Sequence, residues 1–280
     1  MEFNNLSLQR NKKPVKLGNV SLLQPTLAEI DDIGWDIYQK YLYIIISNSK
    51  DIADILWFEY KIWYEDIKDE WDFFVQKCVS GTKEVKIRTI DGRTVVGIGI
   101  LDDFRDAINF FLHTNGEFVV MDKKQGDKQE IYLCNVTPVD NEDNIYFLDI
   151  NNFKLTCAFY HILVEYLEKI NWVVRDYTFI HGGTKRAKKY ILKHDYEERK
   201  KKPKESNITI DSIVSSIIAK SCPYNDIWDY PIYMIYDLYY RHVKIDDWKN
   251  TMDALHNGCI DVKKTPIKWE EINWSNVIKQ

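Results

Sequence analysis

Glycine and proline are scarce in this chain, 11 and 7 residues in 280, which excludes a loop-rich, collagen-like or low-complexity protein and favours long regular elements. No run of 18 apolar residues occurs, which removes the ordinary signal for a membrane-spanning helix, and the opening MEFNNLSLQRNKK lacks the apolar stretch of a secretory leader. The five cysteines are odd in number and scattered, with no CxxC or Cys/His spacing, so neither a disulfide framework nor a zinc site is expected; reduced, buried thiols are. Charge of one sign is also lacking. A net charge of -5 gives no global attraction to nucleic acid, so any such binding would have to be local.

Catalytic motifs are equally absent. GxxxxGK[ST], GxGxxG and HExxH do not occur, and His181-Gly182-Gly183 has no GxSxG nucleophile elbow to serve. Glu84-x-Lys86 with Asp69 or Asp72 upstream is the one nuclease-like set, because two carboxylates on a cation beside a lysine could activate water. Its aspartates fall in a helical pattern rather than on a neighbouring strand, which favours a solvated strand edge instead. The acidic run Asp140-Asn141-Glu142-Asp143 lacks the ligand spacing and glycine of a calcium loop. No metal, no cofactor and no enzymatic activity are expected.

What is present is apolar and aromatic patterning: 45% hydrophobic and 14% aromatic residues, enough for a sizeable core. The pattern predicts an α+β, mainly helical fold in three parts: an N-terminal strand plus helices over 1–81, a mixed α/β insert over 82–150, and a C-terminal helical bundle over 151–280. VKLGNVSLL alternates as a strand or hairpin, and Thr26 and Glu29 form a capping box that opens a single helix over about 27–46. Helix continues over 49–79. Hairpins centre on Asp91-Gly92 and Gln125-Gly126-Asp127, with a helix in LDDFRDAINFFLH between them. Further helices are expected over 152–170, 185–204, 209–221, from Pro231 behind Asp229, and near 246–256 and 268–278.

Two stretches stand out as interaction candidates. The run 185–204 holds ten lysines and arginines against Asp195, Glu197 and Glu198, and as a helix it would be positive nearly all round. In YNDIWDYPIYMIYDLYYRHV, Ile232, Ile235, Tyr236, Tyr239, Tyr240 and Val243 share one helical stripe, the spacing of a core face packed on 210–218. Trp228, Tyr230, Tyr233 and Asp237 lie off that stripe. With Lys185, Arg186, Lys189 and Lys193 they make up the expected partner-binding residues.

Two regions carry a family resemblance: GNVSLLQPTLAEIDDIGWDIYQKYL, and the C-terminal order of a lysine-rich helix, TIDSIVSSIIAKS, NDIWDYPIYMIYDLYYR, NGCIDVKK and INWS. Over about 15–50 and 160–280 the chain resembles the tail assembly chaperones of long-tailed phages of Gram-positive bacteria. That resemblance implies a non-enzymatic protein of the host cytoplasm that binds the tape measure protein during tail morphogenesis. It implies neither membrane nor nucleic acid as partner, and a second copy of the chain is a further candidate. The competing expectation is a virion structural or head-tail morphogenesis protein. Next comes a nucleic-acid binder using the 185–204 helix.

Overall fold

The structure is a computed structural model that describes residues 15–17, 20–71, 73–74, 85–89, 94–99, 102–113, 117–121, 130–134, 136–140, 145–148, 153–173, 175, 177–201, 209–220, 223–260, 267 and 273. The described residues open with an antiparallel ribbon, β1 (Val15–Leu17) and β2 (Val20–Leu22). Helix α1 (Leu27–Ile33) opens on the capping box. The Glu29 amide donates to Thr26 Oγ1 at 3.3 Å, and the Thr26 amide donates to Glu29 Oε2 at 2.8 Å. The single helix expected over 27–46 is two. At Gly34 φ is +87°, a conformation that L side chains rarely adopt, and it turns the chain into α2 (Trp35–Ile46).

The helix expected over 49–79 is likewise broken. Helix α3 covers only Ala53–Phe58, Lys61 takes φ +61°, and helix returns at 70–71 and 73–74. Burial of Trp63 and Tyr64, 3% and 4% exposed, explains the break. Folding those rings inward gains more than the few tenths of a kcal/mol per residue that helix propensity offers.

In the middle of the chain the backbone forms β3 (Val85–Thr89), β4 (Thr94–Gly99), α4 (Asp102–Leu112), β5 (Glu117–Met121), β6 (Glu130–Cys134), β7 (Val136–Asp140), β8 (Ile145–Leu148) and β9 (Phe153–Leu155). The strands pair in the order β7-β8-β3-β4-β5-β6-β9, with β3 and β8 parallel and the other neighbours antiparallel. β9 occupies residues expected to begin a helix and runs into α5 (Cys157–Ile170), capped by Thr156. Then follow α6 (Lys185–Lys200), α7 (Ile210–Lys220) and α8 (Ile232–His256). α8 is one 25-residue helix, about 37 Å long, where a break before 246 was expected; no glycine or proline interrupts it. Pro231, not Asp229, is its N-cap. The helix expected near 268–278 lies outside the described residues.

These elements correct the expected fold class. In place of an N-terminal part, an α/β insert and a separate C-terminal bundle, the packed body is mainly helical, with eight α-helices bounded among the described residues. Among the residues whose burial is described, every buried hydrophobic residue of its two clusters except Leu22 lies on a helix or on a short segment joining helices. The larger cluster draws on α1, α2, α4, α5, α7 and α8 together. Helix α4 shows why the expected insert is not separate. Its apolar face, Ala107, Ile108, Phe111 and Leu112, is at most 3% exposed and packs against α2, with Phe110 and Phe111 each 5.9 Å from the Tyr38 ring.

Chain ends and middle are tied by polar bonds as well. The Leu27 amide donates to the Tyr230 carbonyl and the Ile232 amide to the Pro25 carbonyl, both at 3.0 Å. Buried Tyr38 donates from its hydroxyl to Asn171 Oδ1 at 2.6 Å. A smaller cluster joins α3, the turns around Trp63 and Phe179, and α6 through Leu192. Cys157 and Cys259, expected to be buried, are exposed thiols outside any disulfide.

Candidate functional site

Helix α6 carries four of the expected partner-binding residues, and local chemistry explains where it starts and how it faces. Thr184 caps it by accepting from the Ala187 amide at 3.1 Å, with no acidic residue in the first turn to complement the helix dipole. The expectation of positive charge all round is corrected: one face is an anchor. Leu192 is 1% exposed, Lys188 Nζ lies 2.5 Å from Glu65 Oε1, and Arg199 Nε lies 2.8 Å from Asp54 Oδ2. The Lys188 hydrogen bond, helped by those from Trp63 and Tyr64, holds the Glu65 carboxyl at about 2.

Beside the anchor the lysines ride on rings. Lys185 Nζ stands 5.0 Å above Trp63, Lys189 Nζ 3.8 Å above Trp57, and Lys200 Nζ 4.1 Å above Tyr196, which itself stacks on Phe58. Such contacts contribute about 0.5–1 kcal/mol each at exposed sites. They hold Lys185 and Lys189 in a fixed row. Arg186 is exposed and Lys193 faces Glu197 at 3.7 Å; between them Tyr190 is 76% exposed. Lys202 and Lys204 lie outside the described residues.

The aromatic candidates divide differently. Tyr233 and Asp237, expected to face a partner, are 2% and 5% exposed and belong to the interior. Tyr233 packs 5.8 Å from the Trp172 ring, and Asp237 Oδ2 accepts from Arg241 Nε at 2.8 Å. The expected core stripe instead surfaces at its far end, with Tyr240 39% and Val243 37% exposed. Trp228 is half-buried beside Tyr224, which is 60% exposed, and half-buried Tyr230 contributes its carbonyl to α1.

Sequence reasoning passed over a polar cavity of about 500 Å³ where the end of α2, the 173–179 segment and α6 meet. Arg175 is its hub. Its guanidinium pairs with Asp51 and Glu168, donates to the Ile46 carbonyl at 2.7 Å, and reaches the Tyr177 hydroxyl at 2.9 Å. The Tyr177 hydroxyl donates in turn to Asp51 Oδ1 at 2.8 Å. Burial opposes the Arg175 charge, but Tyr177, Asp51 and Glu168 more than offset it and raise its pKa. Burial pushes the Glu168 carboxyl up in spite of Arg175. The two carboxylates are held by the single guanidinium, so the cavity is chiefly a clamp between elements distant in sequence. Only Asn48 and Asp51, a polar turn after α2, left a local signal; Arg175 had none.

The remaining chemical candidates are not brought together. Glu84 and Asp72 lie outside the described residues, while Asp69 accepts from the Trp71 amide at 2.9 Å as a turn cap. His181 ends a 3-10 turn, and Gly182 sits where a Cβ would come within 3.1 Å of Lys188 Cγ. Among the described residues no group of three or more His, Cys, Asp or Glu is placed to hold a metal, and no helix is long and apolar enough to cross a membrane.

Fold and surface together define a mainly helical protein with exposed aromatic and basic faces and no assembled catalytic set among its described residues. Residues 200–279, which include α7 and α8, match the model of the YomV second domain, a phage-derived protein family. The chain is thus similar to a phage protein over its C-terminal part. No curated protein and no solved structure matches it.

Proposed function

We propose that this chain is a phage tail assembly chaperone, a non-enzymatic protein of the host cytoplasm that binds the tape measure protein before the tail tube closes around it. The observation that carries the reading is the set of large apolar side chains left uncovered on the helical body: Tyr190, Tyr60, Tyr224, Tyr43 and Ile62, from 76% to 44% exposed. A long amphipathic helical client has apolar stripes that must be kept from aggregating. Tyrosines offer such stripes wide contact at low entropic cost, with a hydroxyl still able to reach water. The C-terminal match to a phage-derived family and the resemblance over 15–50 and 160–280 support the same assignment.

Co-expression with the tape measure protein of the same phage, followed by affinity capture at physiological salt, tests it. The client is expected to co-purify and to stay soluble only when this chain is present. No association would refute the reading. Abundant peptides of this chain in purified particles would identify a virion component instead.

A further inference from the structure

Where α1 gives way to α2, a groove of about 620 Å³ runs between the Gly34 turn and the start of α7. Its apolar lining is Ile33, Trp35, Ile37 and Ile210, and Ile37 is 44% exposed. Its charged lining is Asp36 and Asp211, and among the described residues no lysine or arginine lines it. Asp31 and Asp32, both exposed, come just before it, and none of the four carboxylates makes an ion pair among the described residues. The N-terminal ends of α2 and α7 offset about half a charge each. Among the described residues the rim is therefore net negative, over an apolar floor.

The same chain carries a face of opposite character. At about 100° per helical residue, Tyr190 points directly away from the anchored side of α6, with Glu197, Arg186 and Lys193 on one side of it and His194 and Ala187 on the other; Lys193 Nζ lies 3.7 Å from Glu197 Oε1. Tyr190 is 76% exposed, the most exposed of the large hydrophobic side chains described, and Arg186 has no ion pair among the described residues. An apolar knob beside Arg186 and the exposed Lys193–Glu197 pair thus complements an apolar slot rimmed by carboxylates. The two lie toward opposite ends of α2: the groove is at its beginning, and α6 packs on α3 beyond its end.

We propose that the chain self-associates head to tail, with the outer face of α6 of one copy seated in the Gly34 groove of the next. The two surfaces are different patches, so the contact is heterologous and adds copies until the rotation closes a ring. Tyr190 fills the slot over Trp35 and Ile37, while Arg186 and Lys193 meet Asp36 and Asp211. This contact does not require the chaperone assignment, though it shares Tyr190 with the client surface proposed above.

Sedimentation of the purified full chain up to about 100 µM tests it, with two variants, Asp36→Lys/Asp211→Lys for the groove and Tyr190→Ser/Arg186→Glu for the helix. Wild type is expected above monomer mass, weakening as salt rises from about 0.1 to 1 M and the screening length falls from about 10 to 3 Å. Each variant alone is expected to be monomeric, its association weakened at least 100-fold. Mixed in equal amounts, the two variants should form a one-to-one pair and nothing larger, since each pair keeps one intact groove and one intact helix.

Wild type that stays monomeric overturns the proposal, as does either variant associating like wild type or a mixture that does not pair. A monomeric wild type whose α6 face retards DNA would assign that face to nucleic acid instead. Circular dichroism melts establish that each variant is folded, and Asp211→Lys alone or Tyr190→Ser alone replaces a pair that is not. Client capture by the monomeric Asp36→Lys/Asp211→Lys variant, which leaves Tyr190 and the other exposed tyrosines in place, separates this contact from the function proposed above.

Discussion

Replacing Tyr38 by Phe removes one oxygen from the centre of the body. Tyr38 is 0% exposed, and its hydroxyl donates to Asn171 Oδ1 at 2.6 Å, joining α2 to the end of α5 across 133 residues. Asn171 is 7% exposed, so water does not replace the lost donor. A buried acceptor left unpaired costs about 1–3 kcal/mol, which in a chain of this size lowers Tm by roughly 2–4 °C per kcal/mol.

The partner change gives the decisive comparison. Asn171→Leu loses the bond from Nδ2 to the Leu167 carbonyl at 2.9 Å, but that carbonyl keeps the Asn171 amide at 3.2 Å. The double variant, with both polar partners gone, should therefore cost less than the sum of the single changes by about 1 kcal/mol. Urea unfolding followed by tryptophan fluorescence, with unchanged m, reads each value. A Tyr38→Phe protein within about 0.3 kcal/mol of wild type, or additivity to the same margin, would refute the account of this bond.

Three further outcomes follow from the same reasoning. Burial pushes Tyr233 and Tyr236 up to about 12 and raises Tyr38 and Tyr166 as well, whereas tyrosines of the unfolded chain ionise near 10. The folded state thus keeps protons that the unfolded state has released. This stability is fully present below pH 10 and is lost as pH climbs toward 12, seen as a falling urea midpoint together with late tyrosinate absorbance. Arg199→Met leaves Asp54, 2% exposed, without its guanidinium partner; because Arg199 is half exposed, the loss should be near the low end for a broken buried pair, about 3 kcal/mol by thermal melting. Gly34→Ala meets nothing within 4 Å, so its cost is backbone strain alone at φ +87°, about 1–3 kcal/mol, and an unchanged Tm would refute that.

How far the fold could be read depended on range. The capping box of Thr26 and Glu29, the stripe of Ile213 and Ile217 and the helix of 102–112 all express contacts within four residues along the chain, and all form where expected. The failures are tertiary. Tyr233 and Asp237 are off the main stripe of α8, yet the helix is covered on a second side by Trp172 and by its own Arg241, so a one-face pattern misassigned them as partner contacts. Lys185, Arg186, Lys189 and Lys193 were visible as charge. That Trp63 and Trp57 would lie beneath two of them was not, because those rings are more than 120 residues away.

By itself, then, the sequence determined the capping box of α1, the places of α4, α5 and α7, the lack of a charge bias toward nucleic acid, and the basic character of α6, since each depends on near neighbours or on composition. Tertiary structure alone decided that α4 joins the main helical core, that α2 begins anew at Gly34, and that Arg175 clamps Asp51 to Glu168. Those outcomes come from competition among apolar faces and buried charges brought together by long loop closures. No local window of residues contains the terms that decide it.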